Sequence, residues 1–200
     1  MFNRVLVFAV LSTFLLCLTG CADAEETKQA AEPAAKAPPK AEEKVPIYEL
    51  TKDDVTSHEG WTSRNISVLG VKLGDKTRDV EKNLGPVENT RTLPEDYLTI
   101  YQGQGIFIYT FKLTGKTRKI EVNQAFAKKI ADMKLQKLLT SGDLKTMREV
   151  LGMEEGVAIQ NTDDNSTEYP YDSRGIRFVK FKVGGKTLNA IRFSELRKTT

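Results

Sequence analysis

Two stretches of alternating apolar and polar positions stand out along the chain. Residues 105–113 and 175–183 each read as a long strand whose side chains point to opposite faces in turn. The stretches are also copies of each other. Gly105, Ile106, Phe111, Lys112, Gly115, Lys116 and Thr117 fall without a gap on Gly175, Ile176, Phe181, Lys182, Gly185, Lys186 and Thr187. Upstream, Gly74, Asp75, Val80, Leu84 and Gly85 match Gly142, Asp143, Met147, Leu151 and Gly152 with one residue deleted. Downstream, Ile120 and Val122 match Ile191 and Phe193 with one residue inserted near Ala190. Three matches in the same order predict a tandem repeat.

Each copy reads alike. Residues 77–84 form a short helix with Val80 and Leu84 on one face, capped by Asp75 or Thr77 and ended by Gly85 and Pro86. Residues 143–151 repeat it. A longer amphipathic helix is expected over 127–139. The first copy opens more weakly, with a short helix in 47–58 and an extended run over 66–73. Strands are predicted at 97–102, 105–113 and 117–123, and again at 168–171, 175–183 and 188–194, with Gly-rich turns between them. The fold class is α+β: two tandem repeats, 47–126 and 127–200, each a helix plus an antiparallel three-strand meander, with the helices packed on one face of the sheet.

Alternation also assigns faces. Phe107, Tyr109, Phe111 and Leu113, with Arg177, Val179, Phe181 and Val183, are expected to pack on the helices together with Ile120, Val122, Ile191 and Phe193. The opposite face then carries Ile106, Ile108, Thr110 and Lys112, with Ile176, Phe178, Lys180 and Lys182, beside Lys119, Glu121, Arg192 and Ser194. An apolar centre with a basic rim suits a protein interface. The candidate partner-binding residues are therefore Ile106, Ile108, Lys112, Lys119, Ile176, Phe178, Lys180, Lys182 and Arg192. The same pattern admits a second reading, in which the segment around Trp61 covers Ile106, Ile108, Ile176 and Phe178. Tyr97, Tyr101, Tyr169 and Tyr171 lie in runs too short to assign a side.

The helix from Gly74 to Pro86, a tyrosine-containing strand and a long central strand resemble the small outer-membrane-assembly lipoproteins of the SmpA/OmlA type. Two such units in tandem resemble the β-lactamase inhibitory protein fold. The resemblance covers 66–195 and implies a fold rather than a partner. It also has departures: the assembly lipoproteins usually have one unit, and the inhibitory proteins usually carry disulfides.

The chain before the repeats is different in kind. Residues 1–20 read as a signal peptide, with Arg4 before an apolar run over 5–18 that is shorter than the ~20 residues of a membrane-spanning helix. The run ends in Leu18-Thr19-Gly20-Cys21, which resembles the lipobox of bacterial lipoproteins. The resemblance implies that Cys21 is acylated and becomes the first mature residue, so that the protein is held on a membrane by its lipids. Ala22, with Asp23 one place later, favours the outer membrane facing the periplasm in an organism with two membranes; otherwise the outer leaflet of the plasma membrane is expected. Residues 21–46 are Ala, Glu, Lys and Pro, which bury too little to fold and form a disordered tether. That tether spans about 80 Å fully extended.

Composition narrows the chemistry. The net charge of +3 and the lack of a dense basic block argue against nucleic acid. Cys17 leaves with the signal peptide, so no disulfide framework is expected, and one histidine leaves little for a metal site. His58 reads as a solvent-exposed loop residue. Residues 163–168 look like a calcium loop but lack its sixth-position glycine and place Arg174 at the twelfth. No cofactor and no catalytic group are assigned. The expected function is a membrane-anchored, non-catalytic protein-binding module (an assembly factor, inhibitor or scaffold) docking an envelope protein through the open sheet face. The other reading is a cell-wall glycan or small-ligand binder, or a weak enzyme, using face tyrosines and Lys/Arg.

Overall fold

The computed structural model describes residues 45–55 and 58–196. The expected signal peptide, Cys21 and the expected tether up to residue 44 lie outside the described residues. The chain starts with β1 (Tyr48–Glu49), which pairs in parallel with β2 (Ile66–Ser67). Next come α1 (Thr77–Leu84), β3 (Asn89–Thr92), β4 (Asp96–Tyr101), β5 (Ile106–Phe111) and β6 (Lys116–Asn123). A 3₁₀ segment, Gln124–Lys129, leads to α2 (Met133–Ser141) and α3 (Leu144–Leu151). The chain ends with β7 (Ile159–Asn161), β8 (Ser166–Tyr171), β9 (Ile176–Val183) and β10 (Lys186–Ser194).

The fold is α+β, with few helices and one eight-stranded antiparallel sheet ordered β3-β4-β5-β6-β10-β9-β8-β7. Two meanders thus meet edge to edge along β6 and β10, through five residue pairs running from Ala190–Asn123 to Ser194–Lys119. Each meander has four strands rather than three. The added strands β3 and β7 are short and mostly exposed edges, so no hydrophobic period announces them.

Local chemistry explains the other boundaries. Asp132 sits in extended backbone, and its Oδ1 accepts from the amides of Lys134 (2.9 Å) and Leu135 (3.0 Å). That cap starts α2 at Met133 and divides the helix expected over 127–139. Asp143 caps α3 by accepting from the Thr146 amide at 2.8 Å. α1 has no side-chain cap, because Asp75 instead accepts from the Lys72 amide. Residues 47–55 hold β1 and a turn, not a helix. The 3₁₀ turns 102–104 and 172–174 end at Gly105 (φ +71°) and Gly175 (φ +67°). A Cβ there would lie 2.5 Å from the Phe126 amide and 2.4 Å from Ser63 Oγ respectively, so only glycine fits.

The core corrects the expected faces. Ile106, Ile108, Ile176 and Phe178 are fully buried, in one cluster with Trp61, Val80, Leu84, Leu135, Leu138 and Met147. They form the helix-packed face, closed by the N-terminal segment around Trp61, and not an open interface. Ile120, Val122, Ile191 and Phe193 lie with them. Phe107, Tyr109 and Phe111 point the other way.

One extra residue accounts for the inversion on β5. Phe111 pairs with Lys116, and a regular ladder from that turn would set Phe107 against Ile120. A β-bulge between Tyr109 and Thr110 shifts the register, so that Tyr109 pairs with Lys119, Phe107 with Glu121 and Ile108 with Ile120. A one-residue slip moves every side chain to the opposite face.

Candidate functional site

The sheet face away from the helices carries the remaining chemistry. On β5, Phe107, Tyr109 and Phe111 are half-buried, and Phe181 on β9 is likewise partly exposed. Leu98, Ile100, Val179 and Ala190 lie between them, buried by their neighbours but outside the main core cluster. Across this apolar floor runs a lattice of paired charges. Arg192 binds Glu121 at 2.9 Å and also Glu168. Arg177, directly opposite Arg192, binds Glu168 at 2.6 Å and Asp172 at 3.1 Å. Arg118, the residue added by the bulge, donates to Asp96 (2.8 Å) and Glu95 (2.9 Å) and stacks 4.9 Å from the Phe111 ring. Lys119 sits 4.3 Å above the Tyr109 ring.

The electrostatics follow from this packing. Burial disfavours a charged Arg192, but Glu121 and Glu168 outweigh it and hold the guanidinium firmly protonated. Burial likewise works against Glu168, whose carboxyl is nonetheless lowered by Arg192 and Arg177. Burial pushes the Tyr109 phenol up, with Glu121 adding to it. Burial and then Arg192 lower the Lys119 ammonium below its ordinary value. A groove of about 1110 Å³ crosses one end of the face, and Arg64, Arg118, Lys119, Arg177, Arg192 and Ser194 are among its walls.

The structure divides the predicted residues. Lys119 and Arg192 lie on the open face, although their neighbours there are Tyr109 and Arg177 rather than isoleucines. Lys112 donates to the Pro94 carbonyl at 3.1 Å and lies over Tyr97. Lys180 is half-buried and Lys182 exposed, continuing the Ile176–Phe178 side past the core's rim. All four tyrosines of the first strands take that side as well, opposite Thr110, Ile106, Phe178 and Ile176. The missed residues are the aromatics of β5 and the carboxylate Glu168; Glu121 is expected on this face, but without its pairing to Arg192. Their signal was that Lys119, Glu121 and Arg192 cannot share a face with buried isoleucines without partners.

His58 is buried, contrary to its expected exposure. Its Nε2 meets Asp132 Oδ2 at 2.5 Å, and its ring stands edge-on to Trp61 at 4.4 Å. Arg174 donates to the carbonyls of His58 and Leu151, which pins this segment to the end of α3. These contacts make His58 a clasp between the N-terminal segment and the cap of α2. Among the described residues, no group of three or more His, Cys, Asp or Glu is placed to hold a metal ion. No helix among them is long and apolar enough to cross a membrane.

The carboxylates set an acid limit on stability. Asp132 is lowered despite burial, chiefly by the His58 ring and the Leu135 amide, and Glu49 despite burial by Ser67 and Gly70. Asp143 falls to about 2 through the Thr146 amide, and Glu154 to about 2 through Arg148. A carboxylate with a folded pKa below its unfolded value binds fewer protons when folded. Its stabilisation is complete above the unfolded value and is lost as pH falls through the folded one. The melting temperature is expected to drop between about pH 4.5 and pH 2 in a calorimetric series. A flat profile through that window would contradict these pairings.

No family profile matches the sequence, and no curated protein does. Among solved structures, the chain is similar to a DUF4309 family protein (YjgB) from Bacillus subtilis, with 13% identity, a TM-score of 0.41, and coverage of 60% of this chain and 78% of that one. It is also similar to a cysteine-rich secretory protein from Staphylococcus aureus, with 6% identity, a TM-score of 0.36, and coverage of 72% of this chain and 51% of that one.

Proposed function

We propose that this chain is a lipid-anchored envelope protein whose folded domain is a non-catalytic docking module, binding a protein partner through the helix-free sheet face. The observation that carries the reading is the composition of that face. Phe107, Tyr109, Phe111 and Phe181 stand half-exposed among Arg118, Arg177 and Arg192. Aromatics and arginine over a desolvated apolar floor are the residue types enriched at protein interfaces and their hot spots. The anchor rests on the lipobox-like Leu18-Thr19-Gly20-Cys21, and the tether lets the domain reach off the membrane. An outer-membrane, periplasm-facing location is proposed where two membranes exist, and otherwise the outer leaflet of the plasma membrane.

The reading includes two tandem units, and paired details of the structure support it. Gln104 donates to the Leu84 carbonyl as Arg174 does to Leu151, each closing the end of a helix. Glu88 accepts from the Gly103 amide as Glu155 does from Ser173. The amides of Asn123 and Ser194 bind the carbonyls of Gly105 and Gly175.

The test uses the full chain in its own envelope. A photo-crosslinking amino acid in place of Phe111 is expected to yield a discrete protein adduct that the same group at Arg78, exposed on α1, does not. Labelled palmitate should enter the chain and be lost in Cys21→Ser. Equal adducts at both positions, or none, overturn docking through this face; unchanged labelling overturns the anchor.

A further inference from the structure

The charged groups of the open face are not all matched. Each half-buried arginine there has its acids: Arg118 with Glu95 and Asp96, Arg177 with Glu168 and Asp172, Arg192 with Glu121 and Glu168. Lys119 is the exception. It projects into the groove between them, and its ammonium has no carboxylate within salt-bridge distance and no hydrogen-bond acceptor among the described residues. Its contact is the Tyr109 ring at 4.3 Å. The stem is therefore held by packing while the head is partly desolvated and next to a second cation, Arg192, with Glu121 and Asp96 acting on it only from beyond salt-bridge distance. An ammonium so placed is poorly served by the folded chain alone. An acceptor brought from outside completes it with a charge-assisted hydrogen bond.

We infer that Lys119 is the specificity point of the docking face, and that it receives an aspartate or glutamate side chain of the protein partner. This rests on the docking reading above and names the partner's chemistry. Three observations favour a protein carboxylate over a free anion. The groove, at about 1110 Å³, is larger than a small anion fills. Aromatic rings flank the ammonium on its own face, offering contact area to the chain that carries the acid. The neighbouring half-buried arginines already have carboxylates, and Arg64 on the groove wall is exposed to water, so one partly desolvated ammonium is left to satisfy. Lys119 then also discriminates: a partner lacking the acid would bury the ammonium unmatched.

The experiment combines two chemistries on the full chain in intact envelopes. The photo-crosslinker at Phe111 reports docking whatever the partner's charge. A zero-length carbodiimide, which joins an amine to a carboxylate in contact with it, reports the acceptor of Lys119, mapped by mass spectrometry. The expected result is a Lys119 link to an Asp or Glu of the same protein that the photo-crosslinker captures. Lys119→Met, which keeps the stem on Tyr109, should cut the photo-adduct about tenfold or more without lowering the melting temperature. A photo-adduct with no Lys119 link, or an unchanged adduct in Lys119→Met, overturns the inference and leaves docking standing. A link to Glu121 or Asp96 of the chain itself shows that Lys119 has its own acid and overturns it as well. A link to a cell-wall carboxylate overturns the protein assignment. The absence of any photo-adduct removes the docking reading and this inference with it.

Discussion

Phe178→Glu is expected to leave the chain without a folded state. Phe178 is fully buried on β9, opposite Ile191 and Tyr169, with the Tyr169 ring centroid 6.1 Å from its own. Losing the aromatic side chain costs about 3–5 kcal/mol. The new carboxylate has no donor in that cluster, and burying it unpartnered adds several kcal/mol more. The sum reaches the whole stability of an ordinary domain, about 5–15 kcal/mol. Ile108→Glu on β5 should behave alike, since Ile108 packs on Ile120 in the same layer. Far-UV circular dichroism and thermal melts read this directly. A variant that melts within a few degrees of the parent would return this row to the surface and reopen the interface first expected there.

Glu168→Ala is expected to destabilise the domain without abolishing it. Glu168 is shared by Arg177 and Arg192, which face each other across β9 and β10. Removing it leaves two guanidiniums side by side with one acid each, Arg192 with Glu121 and Arg177 with Asp172, and Arg192 is only 12% exposed. Breaking a buried pair in this way costs about 3–5 kcal/mol. For a domain of this size that lowers the melting temperature by roughly 6–20 °C. The loss should shrink in an Arg192→Met background, because the buried guanidinium that Glu168 helps to neutralise is then gone. Equal losses in both backgrounds would mean that Glu168 acts through packing alone.

Much of this architecture was legible in the chain. The strands β4, β5, β6, β8, β9 and β10 and the helices α1 and α3 follow from alternation, spacing and glycine exits, because each buries a regular apolar stripe. What the pattern hid was register. Both faces of β5 are apolar, Ile106 and Ile108 on one side and Phe107, Tyr109 and Phe111 on the other, so hydrophobicity alone does not choose between them. The choice depends on the bulge that admits Arg118. The same ambiguity spread to β9 by analogy, although no bulge interrupts its pairing with β10. The charge of Lys119 and Arg192 marks them in the sequence, while the pairing of Arg192 with Glu121 and Glu168 depends on strand neighbours that had to be known first. His58 was misjudged because its partner Asp132 is 74 residues away.

The seam between β6 and β10 has a consequence for control. The two meanders are joined by a backbone ladder, not by side chains sliding over one another. Opening them means breaking consecutive hydrogen bonds in the middle of the sheet, at a cost close to unfolding. If this face docks a partner as proposed, it does so as a stiff plate, already in its binding shape, which the partner need not order first. Such a plate has no internal off position. Under the proposed function, regulation must then be supplied from outside the fold, by how many copies the cell makes, how far the proposed tether lets them reach, or which rival ligand occupies the plate.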